Sequence, residues 1–150
     1  MKKDLKYRIE QLVRTQKLKK RDVDVPRIKS ILKSAIDNVK VVKKIPITDE
    51  SATLVFREFY ESIRQIGDAK WWSLGYEPRV SHEVSMEILQ NMQIRESVKL
   101  HKLDWFRKIR NNANYRGYKV KREQAKEIAD FWKSCSRELI QQIQNSIKRK

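Results

Sequence analysis

Apolar residues recur along almost the whole chain at the three- and four-residue spacing of amphipathic helices. One stripe begins at Leu5, a second covers residues 28–42, a third covers 52–72 and another covers 125–147. No segment alternates apolar and polar residues over the length of a strand. The pattern therefore predicts an all-α fold, namely an antiparallel up-and-down bundle of four to five helices plus an N-terminal helix that can stand apart from it.

In the first half of the chain, residues that are common at helix ends predict where the second and third helices begin. Pro26 suits the first turn of the second helix, because the backbone N–H that proline lacks would have no intrahelical acceptor there. Thr48 and Asp49 are the expected cap of the third helix, with Glu50 in its first turn. Residues 43–48 then form the connection between these two helices.

The second half is predicted to contain three further helices. Residues 75–79 are expected to be a loop, followed by Ser81 as the cap of a short helix that reaches Met92. The next helix is predicted over 96–114 and is ended by Gly117, and a last long helix carries the stripe that begins at residue 125.

Charge is distributed very unevenly along the chain. The formal net charge is +16, and residues 1–21 contain nine basic and two acidic side chains, whereas 100–122 contain eight and one. Residues 45–99 contain six basic and nine acidic side chains, a net charge of −3. Such clustering favours a polyanionic partner, nucleic acid or a nucleotide, over a lysine-rich surface that binds nothing. We assign residues 1–22 to a basic N-terminal helix or arm and 23–150 to the bundle.

Composition argues against several classes of protein. The three glycines are isolated, so the chain has no glycine-rich phosphate loop. Cys135 is the single cysteine, which excludes an internal disulfide and a cysteine-cluster zinc site. No His, Asp and Glu residues have metal-ligand spacing, so we expect neither a metal nor a cofactor. The sequence contains no run of 18 apolar residues and no apolar signal region near its start, so we expect a cytoplasmic protein that does not enter membranes.

The predicted helix over 96–114 differs from the others because it carries a cation on its apolar side. On a helical wheel with 100° per residue, Arg110 falls between Leu103 and Phe106. A guanidinium on an apolar face is costly unless something pairs with it. Arg110 is therefore a candidate phosphate ligand, and the alternative is an arginine at the rim whose charged end reaches water.

Cations, amides and tyrosines surround this arginine in the sequence. Guanidinium groups bind phosphate in a bidentate manner, amides can read a base edge, and tyrosine rings can stack on bases. The combination favours single-stranded RNA or a nucleotide as the ligand. The candidate binding residues are Arg107, Asn114, Arg116, Tyr118 and Lys119.

The sequence Arg-Asn-Asn-Ala-Asn-Tyr over 110–115, followed by Arg-Gly-Tyr and a long amphipathic helix, resembles the HEPN family (higher eukaryotes and prokaryotes nucleotide-binding domains). The signature of that family is Arg-Asn, a few residues and then His, late in a helix of an α-bundle. The stretch from Gly-Tyr-Glu-Pro at 75–78 to Ser-His-Glu at 81–83 is also similar to the corresponding connection in these proteins. The resemblance covers roughly residues 50–145.

This resemblance implies a small all-α homodimer. It also implies one of two activities: a metal-independent endoribonuclease, or a nucleotide-binding partner of a small nucleotidyltransferase in a toxin–antitoxin pair. Arg110 and Asn111 match the Arg and the polar residue of the signature, and Tyr115 stands in the place of its His. The candidate catalytic residues are thus Arg110, Asn111 and Tyr115, with Arg110 stabilising the charge of the transition state.

The tyrosine is a departure that affects the expected chemistry. A phenol with the reference pKa of about 10 is ionised roughly one part in a thousand at pH 7, whereas an imidazole is largely available as a neutral base. We therefore expect Tyr115 to hydrogen-bond or stack on a base. His101 lies nine residues before Arg110 and is expected on the opposite side of the helix, and His82 begins a different helix, so both are expected to be surface residues.

The resulting hypothesis is an HEPN-like protein that binds RNA or a nucleotide and is a candidate endoribonuclease. Two alternatives remain open at this stage. The chain is a non-catalytic partner of a nucleotidyltransferase, or it is a structural helical adaptor with no polyanion partner.

Overall fold

A computed structural model describes residues 3–79 and 83–149 of the chain, and these residues form an all-α structure, as predicted. The described residues contain six α-helices: α1 (Lys3–Arg14), α2 (Val25–Val42), α3 (Ala52–Ser73), α4 (Glu83–Gln90), α5 (Lys102–Tyr115) and α6 (Arg122–Lys148). A 3-10 turn over Ser97–His101 leads into α5. Two strands, β1 (Leu18–Lys20) and β2 (Tyr76–Pro78), complete the described elements.

Helix α3 is the centre of the bundle and packs against α2, α4, α5 and α6. The apolar stripes predicted from the sequence form its main core. Phe106 of α5 meets Phe56 of α3 edge to face, with ring centroids 6.0 Å apart, and meets Phe131 of α6 in the same way at 5.6 Å. These aromatic contacts fix where the C-terminal half of α5 lies relative to α3.

The N-terminal helix packs against the bundle rather than standing apart from it. Ile9 and Leu12 of α1 are buried in a second apolar cluster with Trp71 of α3 and Ile88 of α4. Arg8 adds a bidentate ion pair to Glu87, with nitrogen–oxygen distances of 2.7 and 3.0 Å.

The strand pair was not predicted. The basic stretch around residue 18 was expected to be an arm and residues 75–79 a loop, but β1 pairs with β2 in antiparallel register, with Leu18 opposite Pro78. Three residues are too few to show an alternating pattern, and the pairing joins segments that are distant in the sequence. Leu18 itself is buried, so the pairing holds the basic segment against the bundle.

The start of α3 also differs from the prediction. Thr48 and Asp49 were expected to cap this helix, but it begins at Ala52, with Ser51 in the cap position. The backbone N–H of Thr48 donates to the Ser51 hydroxyl at 2.9 Å, and the backbone N–H of Ser51 donates to the Thr48 hydroxyl at 3.1 Å. This reciprocal pair forms a turn that delays the helix, so Glu50 precedes it. By contrast, Pro26 lies in the first turn of α2, as predicted.

Helix α4 lies unusually close to α3. A Cβ atom built on Gly67 of α3 would be 2.3 Å from the backbone oxygen of Ser85. The hydroxyl of Ser85 also donates to the Asp68 carboxylate, and the Trp71 ring N–H donates to the Val84 carbonyl at 2.8 Å. The predicted cap at Ser81 lies outside the described residues. The predicted end at Met92 is two residues beyond the observed end of α4.

We predict that Gly67→Ala lowers the free energy of unfolding by about 2–3 kcal/mol, because the added methyl group overpacks the contact with α4. Any gain in helix propensity is only about 0.5–1 kcal/mol and does not offset this loss. Urea unfolding followed by circular dichroism measures the change. Ser30→Ala, on the exposed face of α2, is the matched control and should stay within about 0.5 kcal/mol of the original chain. Equal stability of both variants would contradict the close packing.

Candidate nucleic-acid interface

Helix α5 ends where the candidate residues are concentrated. Leu103, Phe106, Ile109 and Ala113 form its buried face, as the periodicity predicted. The chain then reverses at Gly117, which has φ +71°, a conformation that glycine adopts at little cost. The backbone N–H groups of residues 116 and 118 both donate to the Asn112 carbonyl, at 3.0 and 3.3 Å.

Residues 117–121, here called the return segment, run from this reversal to the start of α6. Val120 is buried in the core, and its N–H donates to the Thr53 hydroxyl of α3 at 3.0 Å. The N–H of Lys121 donates to the side-chain oxygen of Gln124 in the first turn of α6. These bonds attach the return segment to α3 and to α6.

Arg110 is partly buried on the side of α5 that faces α3. Its Cζ atom lies 5.7 Å from the ring centroid of Tyr60 and 6.0 Å from that of Tyr115, both within reach of a cation–π interaction. Its Nη1 donates a long hydrogen bond of 3.4 Å to the side-chain oxygen of Asn111. Within residues 3–79 and 83–149, Arg110 makes no ion pair with a carboxylate.

The charges of three arginines act on Tyr60. Burial raises the pKa of Tyr60 to about 12, although the positive charges of Arg110, Arg107 and Arg64 act in the opposite direction. The ring is therefore neutral at physiological pH and presents an apolar surface to the guanidinium of Arg110.

Two of these three arginines are neutralised by carboxylates. Arg64 is paired with Glu61 and Asp68. Arg107, a predicted binding residue, is paired with Glu83 at 2.9 Å and with Asp104 at 3.0 Å. Arg107 thus links α5 to the start of α4, and a phosphate would have to compete with two carboxylates for it.

A hollow of about 540 Å³, here called the outer hollow, opens on the solvent side of α5. Three predicted residues, Asn111, Tyr115 and Arg116, line it together. Tyr115 is 77% exposed, so most of its ring is available for a ligand. Because Asn111 and Tyr115 also contact Arg110, they connect the arginine with the outer hollow.

A second and more enclosed hollow of about 210 Å³, here called the inner hollow, lies between α5 and the return segment. Tyr118 and Lys119 line it. Asn114, also a predicted binding residue, is exposed but lines neither hollow. The structure therefore brings five of the eight predicted residues together in two adjacent hollows, with Arg110 beside the outer one. Like Asn114, Arg107 lines neither hollow.

Trp105 is the residue that sequence reasoning did not assign to the interface. It is 51% exposed and lines both hollows, as do Lys108 and Asn112. The sequence did contain a signal for this residue. Trp105 lies at the edge of the apolar arc of α5, on the same helical face as Lys108 and Asn112.

His101 does not contribute to this arrangement. His101 is exposed at the start of α5, about 13 Å along the helix axis from Arg110. His82 lies outside the described residues. Within 3–79 and 83–149, no three His, Cys, Asp or Glu side chains form a group that could hold a metal ion.

Comparisons with protein-family models, with curated proteins and with solved structures find no match to this chain. None of the helices in the described part of the chain combines the length and the apolar character that crossing a bilayer requires. A functional assignment therefore depends on the chemistry of the side chains at the end of α5.

Proposed function

We propose that this chain binds single-stranded RNA through the C-terminal end of α5 and that Arg110 is its principal phosphate ligand. The environment of the Arg110 guanidinium is the main support for this proposal. It lies against the rings of Tyr60 and Tyr115 and has no carboxylate partner among the residues described.

The two rings orient the guanidinium without using its hydrogen-bond donors. An arginine has five N–H donors, and the bond to Asn111 is the one that Arg110 makes within the described chain. A phosphate accepts two parallel hydrogen bonds from such a planar group, which a lysine cannot reproduce. The Arg110 guanidinium is thus partly shielded from water and oriented by the two tyrosine rings, and most of its N–H groups remain able to donate hydrogen bonds to a phosphate.

Exposed aromatic rings favour a single strand over a duplex. Tyr115 and Tyr118 are 77% and 65% exposed, and a base can stack on a tyrosine only when it is not already stacked within a helix. The side-chain amides of Asn111 and Asn112 line the outer hollow beside Tyr115, where they can contact a base edge. The choice of RNA over DNA rests on the resemblance of residues 110–115 to the HEPN signature.

We expect Arg110→Ala to weaken binding of a fluorescein-labelled oligouridylate by roughly tenfold to hundredfold, because hydrogen bonds to a charged group contribute about 1.5–3 kcal/mol. The slope of log affinity against log salt should become shallower by about 0.7, the value for one lost contact to a single strand. Fluorescence anisotropy at several salt concentrations measures both quantities. Arg110→Lys should be intermediate, since it keeps the charge but loses the planar group.

Arg137→Ala is the matched control. Arg137 is an exposed residue of α6, about 20 Å along that helix from its N-terminal end, and its loss changes the net charge equally. An equal loss of affinity in the Arg110 and Arg137 variants would mean that binding depends on net charge alone, and the proposed site would be wrong.

The HEPN resemblance leads to a separate prediction about cleavage. In that reaction a base takes the proton of a ribose 2′-hydroxyl, and the 2′-oxygen attacks the adjacent phosphorus. The P–O5′ bond breaks and O5′ takes up a proton from water, which leaves a 2′,3′-cyclic phosphate and a 5′-hydroxyl. We expect Tyr115→His to cleave single-stranded RNA in the presence of EDTA much faster than the original chain, because an imidazole is an available base at pH 7.

Gel analysis of end-labelled RNA measures this gain. Addition of Arg110→Ala to the Tyr115→His variant should abolish it, because the charge of the transition state then lacks its ligand. RNA that stays intact with Tyr115→His, at concentrations where the RNA is bound, would contradict a HEPN-type arrangement of these residues.

A further inference from the structure

The inner hollow has an apolar floor and an aromatic rim. Ile109, Ala113 and Val120 form the floor and are at most 7% exposed. Trp105 and Tyr118 stand at the rim, 51% and 65% exposed. Two large rings are thus left partly in water beside buried apolar side chains, a combination typical of a binding site for a flat apolar group.

Polar groups at the same rim can supply hydrogen bonds. The side-chain amides of Asn112 and Gln124 line the hollow. The oxygen of the Gln124 amide accepts the backbone N–H of Lys121, so its NH₂ group remains the part that a ligand can use. The ligand should therefore carry acceptor atoms at the edge of its flat group.

Hydrogen bonds within the chain hold the walls of the inner hollow in place. The return segment is fixed by the bond from Val120 to Thr53 and by the bond from the N–H of Tyr118 to the Asn112 carbonyl. The opposite wall is α5 itself. A preformed site loses little conformational entropy when it binds, which favours a specific ligand over adventitious contacts.

The volume of the inner hollow and the charge of its lining residues indicate which class of ligand fits it. A volume of about 210 Å³ is smaller than the roughly 300–1,000 Å³ of sites for complete small molecules, so the hollow suits one ring system of a larger ligand. Lys119 and Lys121 also line it, and neither forms an ion pair in the part of the chain that the structure describes. A flat heterocycle attached to anionic groups is the chemistry of a nucleotide unit.

We propose that the inner hollow is a nucleobase site that takes one base of the single strand whose phosphate is held by Arg110. The base stacks on Trp105 above the apolar floor, while Lys119 and Lys121 face the neighbouring phosphates. Trp105, Lys108 and Asn112 line both hollows, so a strand can pass directly from the outer to the inner hollow. The proposal rests on the function proposed above, but it adds recognition of a base to recognition of phosphate.

The test compares a labelled oligouridylate with an abasic oligomer of the same length and number of phosphates. The original chain should bind the base-bearing oligomer at least about fivefold more tightly, because base–aromatic stacking contributes at least about 1 kcal/mol. Trp105→Ala should lower this preference, leaving the part that stacking on Tyr115 and Tyr118 supplies, and should leave the affinity for the abasic oligomer unchanged. Trp105→Phe, which keeps a ring, should retain part of the preference.

The outcomes separate this proposal from the one before it. If Trp105→Ala preserves the full preference, or if the original chain binds both oligomers equally while Arg110→Ala still weakens binding, the base site is wrong and the phosphate site stands. If the original chain binds neither oligomer, both proposals fail. Because Trp105 is half exposed, its replacement should leave the circular dichroism spectrum unchanged, which confirms that the variant is folded.

Discussion

The contact between the Arg110 guanidinium and the ring of Tyr60 joins the core of this protein to its surface. The Tyr60 ring stacks on Phe56 with centroids 6.5 Å apart, and Phe56 in turn packs edge to face on Phe106, one turn before Arg110 on α5. The aromatic core therefore determines where the guanidinium lies. A phenol is neutral at physiological pH, and burial raises the pKa of Tyr60 further, so the ring lies beside the cation without neutralising it. Arg64 and Arg107 are instead paired with carboxylates.

Arg110 lies five residues before the C-terminal end of α5, and the charge of that helix end affects an anion bound nearby. The C-terminal end of a helix carries a partial negative charge, which disfavours a phosphate. In α5 this charge is partly offset, because Arg57 donates to the Ala113 carbonyl at 3.3 Å and two backbone N–H groups donate to the Asn112 carbonyl. The surrounding cations supply the remaining attraction. The proposed phosphate binding therefore requires the basic cluster at 100–122 to outweigh the charge of the helix end.

Long apolar stripes made most of the helices predictable from the sequence. Structures that depend on a few residues, or on contacts between distant segments, were not predicted. The stripes and Pro26 located α2, α3 and α6, and the wheel correctly placed Arg110 on the inner side of α5. The β1–β2 pair and the turn between Thr48 and Ser51 depend on three or four residues, too few for a periodic signal. The wheel could not show that Tyr60 faces Arg110, because that contact depends on how α3 packs. Likewise Trp105 lines the inner hollow only because Gly117 and the buried Val120 fold the return segment beside it.

The most direct test of the central claim is the Nε–Hε resonance of Arg110 in a ¹H–¹⁵N spectrum, assigned by its loss in Arg110→Lys, during titration with an oligouridylate. The account predicts a large, saturable shift for Arg110 and almost none for Arg64, whose guanidinium is already occupied by Glu61 and Asp68. An Arg110 resonance that stays in place while the RNA binds, or that moves no further than that of Arg64, would contradict it.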